Sequence, residues 1–126
     1  MVKALFDTNI LIDFLNAVPE ARQELKRYRD KAISIITWME VLAGAVETNE
    51  DETRSFLANF DVIDLDAAIA ERTVELRKVR KLKLPDAIIW ATADIRSMLL
   101  VTRNEKDFPE DMPGVRIPYR ITLAQT

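Results

Sequence analysis

The chain reads as an α/β protein, a three-layer α/β/α sandwich on a mostly parallel central sheet. Three observations predict it. Short apolar runs of strand length recur along the chain, at residues 2 to 6, 32 to 37, 62 to 65 and 99 to 102. Between them lie stretches long enough to hold helices and carrying apolar residues at helical spacing. Strands separated by helical crossovers pair in parallel and are covered on both faces. With 126 residues and no repeat or low-complexity tract, the chain reads as a single domain over 1–126.

Each element has a local reason. Residues 2 to 6 are nearly all apolar and meet Asp7-Thr8-Asn9. Thr8 or Asn9 can cap a helix that places Ile10, Leu11, Phe14 and Leu15 on one face. Pro19 ends that segment, and residues 20 to 30 form a polar, charged helix. The β-branched run at 32 to 37 reads as a second buried strand, with a helix from Trp38 to Val46. Thr53 to Phe60 is amphipathic, with Phe56, Leu57 and Phe60 inward. Val62 to Leu65 is a short strand, and Asp66 caps a long helix through Leu82. Pro85 and Asp86 open the next helix. Its residues Ile88, Ile89, Ala91, Thr92, Ala93 and Ile95 make it apolar nearly all round, hence central. Leu99 to Thr102 is a buried strand, and Val115 to Ile117 a short edge strand.

Composition narrows the chemistry. The chain is 48% hydrophobic and 31% charged, an ordinary globular balance. It contains no cysteine and no histidine, which excludes disulfides, thiolate nucleophiles, Cys/His zinc sites and His-based triads. Only two glycines occur, Gly44 and Gly114, so a glycine-rich phosphate loop is excluded. A metal here would be held by oxygens, which favours Mg²⁺ or Mn²⁺. No apolar run approaches the roughly 18 residues of a membrane span, and the opening residues meet an acid too early for a signal peptide. The expectation is a soluble, cytoplasmic protein. Net charge is −3, but residues 72 to 83 carry six cations against Glu75 alone. That stretch is either a solvated helix face or a phosphate-facing surface.

In parallel α/β sheets, sites form beyond the carboxyl ends of the strands. That rule selects Asp7 after the first strand, Glu40 one helical turn past the second, and Thr102-Arg103-Asn104 with Asp107 after the fourth. Asp86 reaches the same end from the first turn of the apolar helix. Each has a plain alternative: Asp7 as a helix cap, Glu40 as an exposed helix residue, Asp86 as a complement to the helix dipole, Asn104 as a turn residue and Asp107 as a loop acid. Together they form a pattern, because clustered carboxylates repel unless a cation neutralises them. Without His, a water activated by a metal is the natural nucleophile, and such sites suit phosphodiester hydrolysis.

Four segments carry a resemblance. They are Phe6-Asp7-Thr8-Asn9-Ile10-Leu11-Ile12, Ile35 to Leu42, Leu84 to Ala93 around Pro85-Asp86, and Leu100 to Phe108 around Thr102-Arg103-Asn104. In this order and spacing the chain resembles a PIN domain, and within it the VapC-like toxin ribonucleases of toxin–antitoxin pairs. The resemblance implies a metal-dependent endoribonuclease in which Asp7, Glu40 and Asp86 hold Mg²⁺ or Mn²⁺, with Thr8 beside the metal. Many relatives carry Asp after Thr-Arg; here Asn104 stands there, able to ligate through its carbonyl without charge, and Asp107 follows three residues on. The resemblance further implies a homodimer and a VapB-like antitoxin, through which alone DNA is contacted. An RNA backbone would meet Thr8, Arg80, Lys81, Lys83 and Arg103 on its way to the acids. Trp38 and Trp90 read as packing residues. Two other readings remain: a catalytically inactive PIN scaffold, and a receiver-type phosphoacceptor domain, which would need an acidic pair after the first strand and a Lys after the last.

Overall fold

The computed structural model describes residues 2–109 and 111–121. Five strands form one sheet in the order β3-β2-β1-β4-β5, and every pairing is parallel. The strands are β1 Ala4–Phe6, β2 Lys31–Ser34, β3 Asp61–Ile63, β4 Leu99–Val101 and β5 Val115–Arg116. The helices are α1 Thr8–Leu15, α2 Pro19–Lys26, α3 Ile35–Ala43, α4 Glu50–Leu57, α5 Ala67–Val79 and α6 Leu84–Ile95. The chain runs outward from β1 through β2 to β3, then returns to lay β4 on the other side of β1. That reversal opens a crevice between the carboxyl ends of β1 and β4.

The alternation of side chains on each strand builds two cores. Leu5, Ala32 and Leu100 face one way and pack with Ile69 and Leu76 of α5 and with Ala87, Ile89 and Trp90 of α6. Ala4, Phe6, Ile33 and Val101 face the other way and pack with Ile10, Leu11, Leu25, Val41 and Leu57 from α1 to α4. Phe6 meets Tyr28 and Phe60 edge to face, at 5.6 and 6.1 Å between ring centres. The expected centrality of α6 holds: every residue from Ala87 to Ala93 is buried. Both tryptophans pack as read, Trp90 edge to face with Phe108 at 5.4 Å and Trp38 beneath the Arg54 guanidinium at 5.7 Å. No helix among the described residues is long and apolar enough to cross a membrane.

Three local expectations are corrected. The run read as a strand to Thr37 stops at Ser34, whose side chain accepts a hydrogen bond from the Ile36 amide and starts α3. Capping and burial there override the strand preference of Ile35, Ile36 and Thr37. The helix read through Leu82 ends at Val79. Arg80 turns extended, and the chain leaves the helix in time to bury Leu82 in the core. The cap of α1 is Asp7 itself rather than Thr8 or Asn9, and Leu15 points outward at 43% exposure.

Helices α1 and α6 both end in a left-handed residue that is not glycine, Ala17 at φ 63° and Ser97 at φ 55°. In each, a later amide reaches back to close the last turn, Val18 to the Asp13 carbonyl at 3.0 Å and Met98 to the Ala93 carbonyl at 2.8 Å. Glycine is the residue suited to that position. Ala17→Gly is expected to stabilise the fold by about 0.5–1 kcal/mol, the relief of left-handed strain exceeding the added freedom of the unfolded chain. Thermal denaturation checks this, and a fall in Tm would count against the strain.

Candidate active site

The crevice at the strand-order reversal is where the sequence-selected residues gather. Phe6 and Val101 are register partners, so the next residues, Asp7 and Thr102, emerge side by side. The Asp7 amide continues the ladder by donating to the Val101 carbonyl at 2.9 Å. Both side chains are buried, Asp7 at 4% exposure. The Thr102 hydroxyl donates to one Asp7 oxygen at 2.7 Å, and the Thr8 amide donates to the other at 2.7 Å. The Asn9 amide adds a third contact at 3.2 Å. The opposed readings of Asp7, cap and site residue, are thus compatible: it caps α1 while facing the crevice.

The electrostatics of Asp7 are set by burial. Loss of water pushes its carboxyl up to about 6. The hydrogen bonds from Thr102 and Thr8 pull it down, and the negative fields of Asp86 and Glu40 push it up further. Asp86, half-buried in the first turn of α6, is also raised, first by burial and then by Asp107 and Glu40, with Lys83 opposing. The four acids therefore feel one another across the crevice. Among the described residues, no three of them are gathered tightly enough to enclose an ion as they stand.

Glu40 and Asp107, like Asp7, are held by hydrogen-bonded neighbours. Glu40, exposed on α3, accepts from the Thr8 hydroxyl at 2.6 Å, and the Thr37 hydroxyl lies 3.0 Å from that of Thr8. Thr37 and Glu40 are three apart on α3 and so share a face. Asn104 and Asp107 form a closed pair. The Asn104 side-chain amide donates to Asp107 at 2.9 Å, and the Asp107 backbone amide donates back to the Asn104 side-chain oxygen at 3.3 Å. The Asn104 backbone amide donates to the Thr102 hydroxyl at 3.0 Å. A single hydroxyl, Thr102, thereby links Asp7 to the turn that carries Asp107.

The basic residues divide. Lys81 and Lys83 are exposed, and Lys83 acts on Asp86. Arg80 turns inward, its guanidinium 4.8 Å from the centre of the Trp90 ring and donating to the Met112 sulfur at 3.5 Å. Arg103 does not face the crevice freely: it grips Asp13 with two hydrogen bonds, at 2.5 and 3.0 Å. Asp13 is buried and also accepts from the Tyr119 hydroxyl at 2.8 Å. A second buried acid, Glu24, is gripped the same way by Arg116 at 2.7 and 3.0 Å. Sequence reasoning passed over both acids. Their signal was present: Asp13 interrupts the apolar run Ile10-Leu11-Ile12-Asp13-Phe14-Leu15, and a charge on a buried face requires a partner.

A parallel α/β sandwich with mutually repelling acids at its strand-order reversal defines a class: proteins that present hard oxygen donors in one open crevice. The comparison with known families narrows this. Residues 4–110 match the PIN domain model, and the chain belongs to the PIN domain family. It is 31% identical over 128 residues to the tRNA(fMet)-specific endonuclease VapC of Shigella flexneri, covering 92% of this chain and 96% of that one. It is similar to a chain of a toxin–antitoxin complex from Klebsiella pneumoniae, with 52% identity, a TM-score of 0.89, and coverage of 94% and 100%. A chain of the DNA-bound VapBC complex of Salmonella typhimurium matches at 29% identity and a TM-score of 0.76, covering 92% and 96%. The receiver reading falls with this membership; the resemblance to VapC-like toxins stands.

Proposed function

We propose that this chain is a Mg²⁺- or Mn²⁺-dependent endoribonuclease, the toxin of a toxin–antitoxin pair, acting on RNA phosphodiester bonds. The observation that carries the proposal is Asp7: buried, raised to about 6, and facing the fields of Asp86 and Glu40. Carboxylates held together at such a cost have a reason to be together when a hard cation shares the crevice. An all-oxygen donor set fits that cation. An open arrangement also fits, since Mg²⁺ typically binds through one or two carboxylates, keeps several waters and takes the rest of its shell from phosphate.

In this reading Asp7, Glu40 and Asp86 would hold the ion. Asn104 has its side-chain oxygen and amide engaged by Asp107, so Asp107 supplies the fourth charge and Asn104 fixes it. Mg²⁺ or Mn²⁺, when bound, makes water acidic enough to attack at neutral pH and neutralises charge on the phosphate. The chain's own residues orient that chemistry: Thr8 aims Glu40, and Thr102 and the Thr8 amide fix Asp7. The relatives in toxin–antitoxin and DNA-bound VapBC complexes support a VapB-like antitoxin as partner, with DNA contact through that antitoxin alone. Assembly as a homodimer in the cytoplasm completes the reading.

The test is cleavage of pooled tRNA, rRNA and mRNA by purified protein. Cleavage with Mn²⁺ or Mg²⁺, its loss on chelation with EDTA, and its return on adding metal back are expected. Asp86→Asn is expected to remove the activity while the protein still unfolds cooperatively. Cleavage that persists in EDTA, or none with either metal on any RNA class, would overturn the proposal.

A further inference from the structure

We propose that the cleft between residues 80–83 and the turn after β4 is a subsite for an RNA backbone phosphate beside the one attacked, held by Lys81 and Lys106. This rests on the ribonuclease reading above. The cleft, about 340 Å³, is lined by Arg80, Lys81, Leu82, Lys106, Asp107 and Pro109. A second cleft of about 410 Å³ shares Arg80, Lys81 and Leu82 and runs on to Arg77 and Lys83. The two form one cationic path, with Lys81 at their junction and Asp107 at the end that acts on Asp86.

The need for such a subsite follows from charge. Four acids repel a polyanion, and the net charge of −3 adds to that repulsion. A divalent ion in the crevice answers only the phosphate under attack. The flanking phosphates still need cations, which must lie next to the acids and be unengaged. Lys81 and Lys106 meet both conditions: they border Asp107 and form no ion pair among the described residues. The arginines at 72, 96, 103 and 116, in contrast, are each bound to a carboxylate. Arg80, on the rim of both clefts, is held against Trp90 and Met112 and serves as wall rather than as phosphate ligand. The cationic surface read from residues 72 to 83 thus narrows to Lys81, with Lys83 beside Asp86 in the second cleft, and Lys81 is joined by Lys106 from the turn after β4.

Anisotropy of a fluorescein-labelled single-stranded RNA pool, with EDTA present so that nothing is cut, reads the subsite directly. Lys81→Gln and Lys106→Gln are each expected to weaken binding by about three- to tenfold and to lower the slope of log affinity against log salt by about 0.7. Lys78→Gln, an equal charge change on α5 that lines neither cleft, is expected to alter neither. Unchanged affinity and slope in both cleft variants would overturn the subsite. Equal losses in all three variants would also overturn it, since a diffuse field would then explain the binding. If the wild-type protein binds RNA with the expected pattern yet cuts none with Mn²⁺, the subsite stands and the nuclease reading falls. If it binds no RNA in EDTA yet cuts RNA with Mn²⁺, the subsite falls and the nuclease reading stands.

Discussion

Asp7→Asn is expected to raise the stability of the metal-free protein while removing its activity. The sign follows from burial. In the unfolded chain this carboxyl ionises at its ordinary 3.8; in the fold it ionises at about 6. The folded state therefore holds the proton more tightly, so the group opposes folding wherever it is ionised. That opposition is absent well below pH 4, builds as pH rises from about 4 to about 6, and is complete above. A tenfold difference in proton affinity between the two states corresponds to about 1.4 kcal/mol, and the neutral amide is expected to keep about 1 kcal/mol of the gain near neutral pH, because its single oxygen accepts from Thr8, Asn9 and Thr102 less fully than two oxygens do. Urea unfolding in EDTA across pH 4 to 7.5 checks it: the wild-type chain loses stability relative to the variant as pH rises. Manganese is expected to reverse the order, because only the wild-type fold then gains from binding. Partners one step removed from a metal ligand typically contribute about 10–100-fold to affinity or activity, so loss of Asp7 itself is expected to reduce cleavage by at least that factor. A variant that kept full metal-dependent cleavage would remove Asp7 from the site.

Arg103→Ala is expected to cost the fold about 2–4 kcal/mol, less than a wholly buried pair because the arginine is one-third exposed. The damage falls on Asp13, whose carboxylate stays buried and, among the described residues, meets the Tyr119 hydroxyl alone. Stability in urea reads the loss. Replacing both partners, Asp13→Leu with Arg103→Met, is expected to recover much of it, because an apolar pair leaves no stranded charge. No recovery would mean that Arg103 stabilises the fold by packing rather than by pairing. Activity supplies a second reading. Arg103 sits between Thr102 and Asn104, and its own amide donates to Asn9 at 3.3 Å, so the pair with Asp13 holds the turn that carries Asp107.

The layers and their order were legible because burial writes period and punctuation into a chain. Asp66 announced α5, and Pro85-Asp86 announced α6; both begin as read. The boundaries that failed were decided by tertiary contacts. Ile35 to Thr37 carry strand preference and fold as helix because Ser34 caps them. Arg80 to Leu82 continue a helical pattern and leave it because Leu82 reaches the core and Arg80 finds Trp90. Asp7, Glu40 and Asp107 were selected by the strand-edge rule, which needs only topology, and Asp86 by its place in the first turn of the apolar helix. How they are aimed was not: Thr102 was selected without its role, and Thr37 and Asn9 were passed over, because all three act through distances that no spacing in the sequence encodes. Arg103 misled for the same reason: a cation beside a site looks free until its partner is seen.

The hydrogen bond from Thr102 to Asp7 joins residues 95 apart, and it also sets a timetable. Asp7 is made before Thr102, and the strand that completes its surroundings follows 95 residues behind it. Closing so long a loop also comes late in folding, after local helices have formed. A chain halted between Asp86 and Thr102 therefore carries three of its acids without the crevice that assembles them. For a protein proposed to cut RNA, the order of synthesis thus withholds the assembled crevice until β4 and the turn behind it have been made.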